Sequence, residues 1–477
     1  MKLSICQTRM KLADFEFNLK TVLENLKKVD GDIVVFPEYD LGSMGGLDLI
    51  LDEKASNLQK HFYEEIAKKV TEQYVFVGDV LIHDGDFIEP DEAGFYFILG
   101  KKIYVSDAFE NDVNCDLYIL ANNRYYAMNS IKEFVDNVET YCDLVYINGV
   151  GMSDQNIWCG ASFAKNVKNE VVFQAPLCKE IVSDIDFTKK IKPKFDDTEE
   201  EVVKITTFAL KEYCENTGFK KVILGLSGGI DSALTAVLAV KALGKNNVLG
   251  VLMPSMYSSK GSVDDSLKLA KNLGIETRTC PIKPLFDEFI TDIADKKYKG
   301  DLAEENLQSR IRGMILMFFS NREGYLLLST GNKSEAAVGY GTLYGDLCGG
   351  LNLICDLTKT YVYRVSEFIN REKEVIPWEI MEKEPSAELR PNPKDSDSLP
   401  DYDVLDDIIS MYFEQNLSID EMAKKYDRDL VKSTIKKFHH AQFKRKQNCL
   451  GIRLTEKSFT KGIYLPIVHK LYISNKI

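Results

Sequence analysis

Residues 221–244, KVILGLSGGIDSALTAVLAVKALG, admit few folds. An apolar run without alternation reads as a strand buried on both faces, the kind found inside parallel sheets. It stops at two glycines and restarts as a long apolar helix, DSALTAVLAVKALG. The same order recurs downstream: NVLGVLMP reads as a strand, SVDDSLKLAKNLGI as a helix and GYLLLSTG as a later strand. Such alternation predicts an α/β domain with a doubly wound parallel sheet, whose ligands bind beyond the carboxyl ends of the strands.

The turn LSGGIDSALT, residues 226–235, lies at such a strand end. Gly228 and Gly229 allow a ligand close to the backbone, and the next helix offers unpaired N–H groups with the positive end of its dipole. Ser227 and Ser232 add hydroxyl donors. Asp231 would repel a phosphate, so its presence makes sense beside a divalent cation. The spacing is neither GxxxxGK[ST] nor GxGxxG, which excludes a Walker loop and a dinucleotide fingerprint. A structural turn with an Asp cap is the bland alternative, and it would not call for the whole SGGxDSA sequence.

The rest of the chain narrows the class. A net charge of −13 opposes binding to nucleic acid or an anionic membrane. Ten scattered cysteines without a CxxC pair, and only five histidines, give no zinc pattern and suit a reducing cytoplasm. No apolar run is long enough to span a membrane. Residues 1–185 alternate short apolar strands (KLSICQ, DIVVFP, YVFVGDVLI, FYFILG, KIYVS, DLYIL, LVYING, VVFQAP) with helical stretches at 16–28, 53–73 and 123–142. A layered α/β domain is expected there, a polar linker at 186–200, and a second domain at 201–477 with a helical C-terminus. A helix-turn-helix at 418–440 is conceivable by spacing, but the acidic chain argues against it.

In its strand–loop–helix setting, SGGxDSA resembles the pyrophosphate loop of the ATP pyrophosphatases. Four more segments follow: ENLQSRIRGMIL (305–316), LSTGNKSEAAVGYGTLYGDLCGG (328–350), DLTKTYVYRV (356–365) and EKEPSAELRPNPKDSDSLPDYDVLD (382–406). With them the chain resembles NAD synthetase over residues 197–470. The resemblance implies ATP-dependent amidation of deamido-NAD to NAD through an adenylated carboxyl group, with AMP and pyrophosphate released. It puts Ser227, Gly228, Gly229, Asp231, Ser232 and Thr330 on ATP and pyrophosphate, and Asp231 with Glu335 on Mg²⁺. Lys359 would act on the phosphates. Asn306, Arg310 and Arg312 would bind deamido-NAD, and Asp346 would serve as a general base beside the incoming ammonia. It further implies a lid over 382–406 and a homodimer or larger homo-oligomer. Leu465, in KGIYLPI, stands where the family has an Arg. A non-catalytic scaffold is at odds with the intact motifs, and GMP synthetase with the GNKSE…YGDLCGG…PSAEL series.

The first 185 residues resemble the nitrilase-like glutaminase domain that accompanies many NAD synthetases, an α-β-β-α layered fold. VVFPEYDLG, residues 34–42, matches the strand that ends at the catalytic Glu, here Glu38. Such an amidase also needs a Lys and a Cys thiolate. KIYVSDAFEN offers Ser106 at the thiolate position, and the basic loop is replaced by a tight turn holding Lys101 and Lys102. Cys115 is the nearest thiol. The expectation is a degenerate domain in which Glu38 and Ser106 are vestigial, and a synthetase that uses ammonia. The alternative is glutamine dependence with Cys115 or an external glutaminase as the source of the nucleophile.

Overall fold

In β2 (Ile33–Phe36), Ile33 and Val35 point to one side of the sheet and Val34 and Phe36 to the other, and all four are fully buried. A strand covered on both faces needs a layer on each side, and this requirement sets the N-terminal architecture. The structure, a computed structural model, describes residues 1–294, 298–386, 388–391, 395 and 399–471. The chain divides in sequence into two units, Met1–Ile205 and Thr206–Ile477.

The first unit holds β1 (Leu3–Gln7), β2, β3 (Tyr74–Val77), β4 (Val80–His83), β5 (Asp86–Ile88) and β14 (Ile181–Ile185), in the sheet order β14-β1-β2-β3-β4-β5. A second six-stranded sheet contains β6 (Phe95–Ile98), β7 (Lys101–Ser106), β8 (Leu117–Ala121), β9 (Asp143–Ile147), β12 (Phe163–Lys165) and β13 (Val171–Gln174), ordered β13-β12-β9-β8-β7-β6. The ribbon β10 (Val150–Ser153) and β11 (Asn156–Cys159) stands apart. Ile5, Ile33, Val35 and Phe76 of one sheet pack with Ile103, Ile119, Val145 and Ile147 of the other. Outside the first sheet, Phe15 and Val22 of α1 (Phe15–Leu26) and Phe62 and Ile66 of α2 (Glu53–Ala67) cover Val34 and Phe36. Outside the second, Val135 of α3 (Ser130–Asn137) packs on Tyr118, Leu144 and Phe163. The result is the expected α-β-β-α layering.

Two local expectations change. YVFVGDVLI is a hairpin, because Gly78 at φ +65 turns the chain between β3 and β4. The helix foreseen over 123–142 shrinks to α3: Tyr125 bridges Trp158, and Asn129 sits at φ +65 just before the helix starts.

Helix α4 (Thr198–Thr217) leads into the second unit, where β15 (Val222–Gly225), α5 (Ile230–Leu243), β16 (Val248–Leu252), α6 (Lys260–Leu273), β17 (Glu276–Thr279), α7 (Lys283–Ile293), α8 (Leu302–Glu323), β18 (Leu326–Ser329), α9 (Lys333–Val338), β19 (Leu351–Asn352) and α10 (Lys359–Asn370) follow. All five strands are parallel, in the order β17-β16-β15-β18-β19. Sequence order reverses between β15 and β18, so their carboxyl ends open the crevice where doubly wound sheets bind ligands.

After α11 (Trp378–Glu382), the helices α12 (Tyr402–Ile409), α13 (Ile419–Met422), α14 (Arg428–His440) and α15 (Gln442–Arg445) close the unit. Val431, Ile435 and Phe438 of α14 are buried with Ala337 of α9 and Leu405 of α12, and Leu465 packs at the edge of this cluster. That face of α14 is therefore core. In the basic cluster, buried Arg445 donates to the carbonyls of Ala336, Ala337 and Phe438 at 3.1, 2.7 and 2.6 Å. It caps a helix end that lacks intrahelical donors.

Glu201 offers a test of burial in the first unit. Its carboxylate accepts from Tyr126 Oη at 3.3 Å, and burial pushes its pKa up to about 7. An acid raised in the folded state stabilises fully below its unfolded pKa, and that contribution is lost as pH rises through 7. Glu201→Gln should flatten this fall, on the order of 3 kcal/mol between pH 4.5 and 7, in urea titrations at several pH values.

Candidate active site

Two loops leave the sheet at the reversal point, one after β15 and one after β18. After β15 the chain passes through Gly228 at φ +79, a region that side chains resist. A Cβ there would also lie 2.5 Å from Ser262 O in α6. The Ser227 and Ser232 hydroxyls lie 3.0 Å apart, Gly229 N donates to Ser227 Oγ at 3.2 Å, and Ser232 Oγ donates to Gly229 O at 3.0 Å. These bonds brace the turn at the point where α5 begins with N–H groups that have no helical acceptor.

After β18, Thr330 and Gly331 lead to Asn332, the cap of α9. Asn332 Oδ1 accepts from Glu335 N at 3.0 Å, and Glu335 Oε2 accepts from Asn332 N at 3.1 Å, a reciprocal capping box. Asn332 Nδ2 donates across the crevice to Asp231 Oδ1 at 2.9 Å. Lys359, at the first position of α10, pairs with Asp231 Oδ2 and lies 4.0 Å from Glu335 Oε1. Its side chain is 4% exposed. Burial and the Asp231 carboxylate push Glu335 up to about 8. Burial works against the charge of Lys359, yet Asp231 and Glu335 hold its pKa above the ordinary lysine value. Two carboxyl groups share one ammonium, so Glu335 keeps a proton at neutral pH unless a further cation takes its place.

A second cluster forms where α8 meets the turn at 342–346. Ser309 Oγ donates to Asp346 Oδ1 at 2.7 Å, Thr342 N donates to the same oxygen at 2.8 Å, and Thr342 Oγ1 donates to Asn306 Oδ1 at 2.7 Å. Arg310, one turn beyond Asn306, donates to Leu343 O at 3.2 Å. Arg312 faces elsewhere: its Nε donates to Met253 O at 3.0 Å, past the end of β16, and burial lowers its pKa to about 10. Of the residues expected to bind deamido-NAD, Asn306 and Arg310 thus adjoin Asp346, and Arg312 adjoins β16.

Part of the segment expected to form a lid lies outside the described residues, namely 387, 392–394 and 396–398. Its described part rests on the glycine turn. Lys383 Nζ donates to Ser262 Oγ at 2.9 Å and to Gly228 O at 3.4 Å, and pairs with Asp265 at 2.8 Å. Glu388 accepts from Ser259 N at 3.2 Å and from Ser262 Oγ at 2.6 Å.

In the first unit, Glu38 follows β2 as expected. Burial, then contact with Asp40 and the charges of Asp79 and Asp107, pushes its pKa up to about 9. It is a neutral acid at pH 7, not a base. Asn123 Nδ2 holds Glu38 O at 2.6 Å. Ser106 ends β7, and its hydroxyl donates to Ala108 O at 2.6 Å, with Tyr118 Oη 2.8 Å away. Lys101 pairs with Asp116 at 3.3 Å, and Lys102 lies over the Phe95 ring. Cys115 is at the other end of this sheet. Ser106 is in register with Leu120, and Cys115 lies five residues before it, about 16 Å along a strand.

Sequence reasoning missed Asn332 and Ser309, which hold Asp231 and Asp346. The N-x-x-E spacing of NKSE was a readable signal for the first. Nothing in the sequence pointed to Ser309.

Among the described residues, no group of three or more His, Cys, Asp or Glu is arranged around a metal position, and no helix is long and apolar enough to cross a membrane. The NAD synthase family model matches residues 201–448. The chain belongs to the NAD synthase family. A member from Thermotoga maritima, a glutamine-dependent NAD(+) synthetase, is 33% identical over 98% of this chain and 99% of its own length. One of the same name from Synechocystis sp. is 44% identical over 69% of this chain, which spans 61% of that relative's length. A solved structure, glutamine-dependent NAD+ synthetase from Acinetobacter baumannii with ADP, aligns over 98% of both chains with a TM-score of 0.72 and 29% identity.

These NAD synthase relatives overturn the expectation of an enzyme confined to ammonia. The match to Thermotoga maritima runs through both units, and that relative is named glutamine-dependent. That expectation rested on Ser106 and the missing loop alone. The alignment spans 568 positions against 477 residues here, so the relative carries segments that this chain lacks. The loss of such segments does not by itself identify the nitrogen donor.

Gly228→Ala should cost about 2 kcal/mol in stability, from its positive φ and the collision with Ser262. It should also weaken ATP binding. Urea melting and calorimetric nucleotide titration read the two effects.

Proposed function

We propose that the chain is a glutamine-dependent NAD synthetase, which adenylates the nicotinate carboxylate of deamido-NAD with ATP and replaces AMP by nitrogen taken from glutamine. The observation that carries this reading is the Asp231–Lys359–Glu335 cluster at the strand reversal, beside the braced SGGxDS turn. Relatives that span nearly the whole chain support glutamine as the donor.

A carboxylate oxygen of deamido-NAD attacks the α-phosphorus of ATP, and the bond to the bridging oxygen of pyrophosphate breaks. The glycine turn and the N-terminus of α5 receive the leaving pyrophosphate, with Lys359 as a buried point charge on it. Thr330 adjoins the same crevice from β18. Ammonia then attacks the acyl carbon, AMP departs, and the surplus proton passes to Asp346. Oδ1 of Asp346 is held by Ser309 and Thr342, which leaves Oδ2 to accept that proton.

Mg²⁺ fits the first cluster, because two hard carboxylate oxygens share a single ammonium and Glu335 is pushed up to about 8 by burial and Asp231. Asp231 and Glu335 would hold the ion, and it would neutralise charge on the phosphates.

Glutamine-supported and ammonium-supported NAD formation, compared on one purified sample, test the nitrogen source. Glutamine without ammonium should sustain turnover, and turnover with ammonium but none with glutamine would refute the reading. Ser106→Ala then locates the nucleophile. If it lies at the end of β7, the variant loses glutamine-supported turnover and keeps the ammonium reaction; if both persist, the nucleophile lies elsewhere in this chain. In either case Lys359→Met should lower ATP-dependent pyrophosphate release at least ~100-fold, the scale of a lost electrostatic contact to the leaving group.

The reading includes a homodimer. Met314, Met317 and Phe318 on α8 remain 58%, 37% and 52% exposed at i, i+3, i+4 spacing, an apolar stripe that suits a second copy. Phe318→Glu should shift the sedimentation coefficient toward the monomer.

A further inference from the structure

Cys115 and Cys142 have no part in the chemistry above. Both are free, and their sulfurs lie 3.3 Å apart with the Cys115 thiol donating. Parallel pairing brings them together. β8 and β9 set Leu117 beside Asp143, and carrying that register back leaves the two cysteines one residue out of step. With strands ~4.8 Å apart and a rise of ~3.3 Å per residue, their Cα atoms are about 6 Å apart, inside the range a disulfide spans.

Their exposures differ in a way that orders the chemistry. Cys142 is 2% exposed among Tyr118, Val135 and Phe163, whereas Cys115 is half-buried at the rim of the same cluster. A dissolved reagent therefore meets Cys115 first. The contact, with burial, holds the proton on Cys115 by raising its pKa, and it favours the thiolate of Cys142, whose pKa lies below the ordinary cysteine value.

We propose that Cys115 and Cys142 are a reversible redox modification site, closed to a disulfide by a low-molecular-weight disulfide such as oxidised glutathione. The Cys115 sulfur attacks one sulfur of the reagent as its proton passes to the adjacent Cys142 thiolate; the reagent's S–S bond breaks, and one small thiolate leaves and takes that proton back from Cys142. The Cys142 thiolate then attacks the Cys115 sulfur and expels the second. Two electrons pass from the protein sulfurs to the reagent, and the one proton shared by the pair ends on a departing thiolate. The closed loop includes Asn122 and Asn123, whose amides hold the Asp107 and Glu38 carbonyls. Oxidation thus constrains the chain that frames the β2 and β7 ends.

The test treats the full chain with oxidised glutathione and maps non-reduced tryptic peptides by mass spectrometry. A Cys115–Cys142 linked peptide should form, lighter than its two free parts by two hydrogens, and revert with dithiothreitol. Cys142→Ser should stop at a glutathione adduct on Cys115. Wild-type chain that keeps glutathione on Cys115 without the internal link, or that leaves both thiols free, would overturn the proposal.

Discussion

Asp231, Lys359 and Glu335 come from three different elements, the first turns of α5, α10 and α9, and the second unit depends on their meeting. Two carboxylates this close repel each other at a largely buried site, and a single ammonium does not offset them fully. Burial first, and then the charge of Asp231, raise the pKa of Glu335. A folded protein keeps such an arrangement where a ligand supplies the missing charge, and perturbed carboxylates in a crevice mark functional sites for this reason. Asn332 binds the arrangement together, because its side chain caps α9 and grips Asp231 at once.

The fold supplies the convergence. A doubly wound sheet places the carboxyl ends of β15 and β18 side by side, and each is followed by a helix start. The same strand ends carry Ser227–Gly229 and Thr330–Asn332, so the phosphate turn and the carboxylate pair sit on rigid supports. Behind α9, Arg445 caps the carbonyls, and Lys333 forms a fully buried pair with Asp356 at 3.0 Å. Helix α9 is fixed at both ends, and with it Glu335.

Much of this was legible in the sequence, for definite reasons. KVILGL announced a strand buried on both faces, and SGGIDSA a turn that only glycine can make, so the parallel sheet and its ligand edge followed. Hydrophobic patterning also gave most strands of the first unit, apart from pieces such as β10 to β12, which at three or four residues are too short to show a period. The helix ending before residue 142 was misjudged because Tyr125 pairs with Trp158, a contact that periodicity does not register. Asn332 and Ser309 act through tertiary hydrogen bonds, and local pattern carries no trace of Ser309 meeting Asp346. The nitrogen donor was misjudged for a different reason: one serine and one missing loop were taken as the whole of the chemistry, whereas relatives matched along the full chain are named glutamine-dependent.

The central claim is that the crevice between β15 and β18 adenylates the nicotinate carboxylate of deamido-NAD before any nitrogen arrives. Exchange of labelled pyrophosphate into ATP, with neither ammonium nor glutamine present, measures that step alone. Exchange that appears on adding deamido-NAD is the predicted result. Its absence, or conversion of ATP to ADP and phosphate instead, would contradict the account.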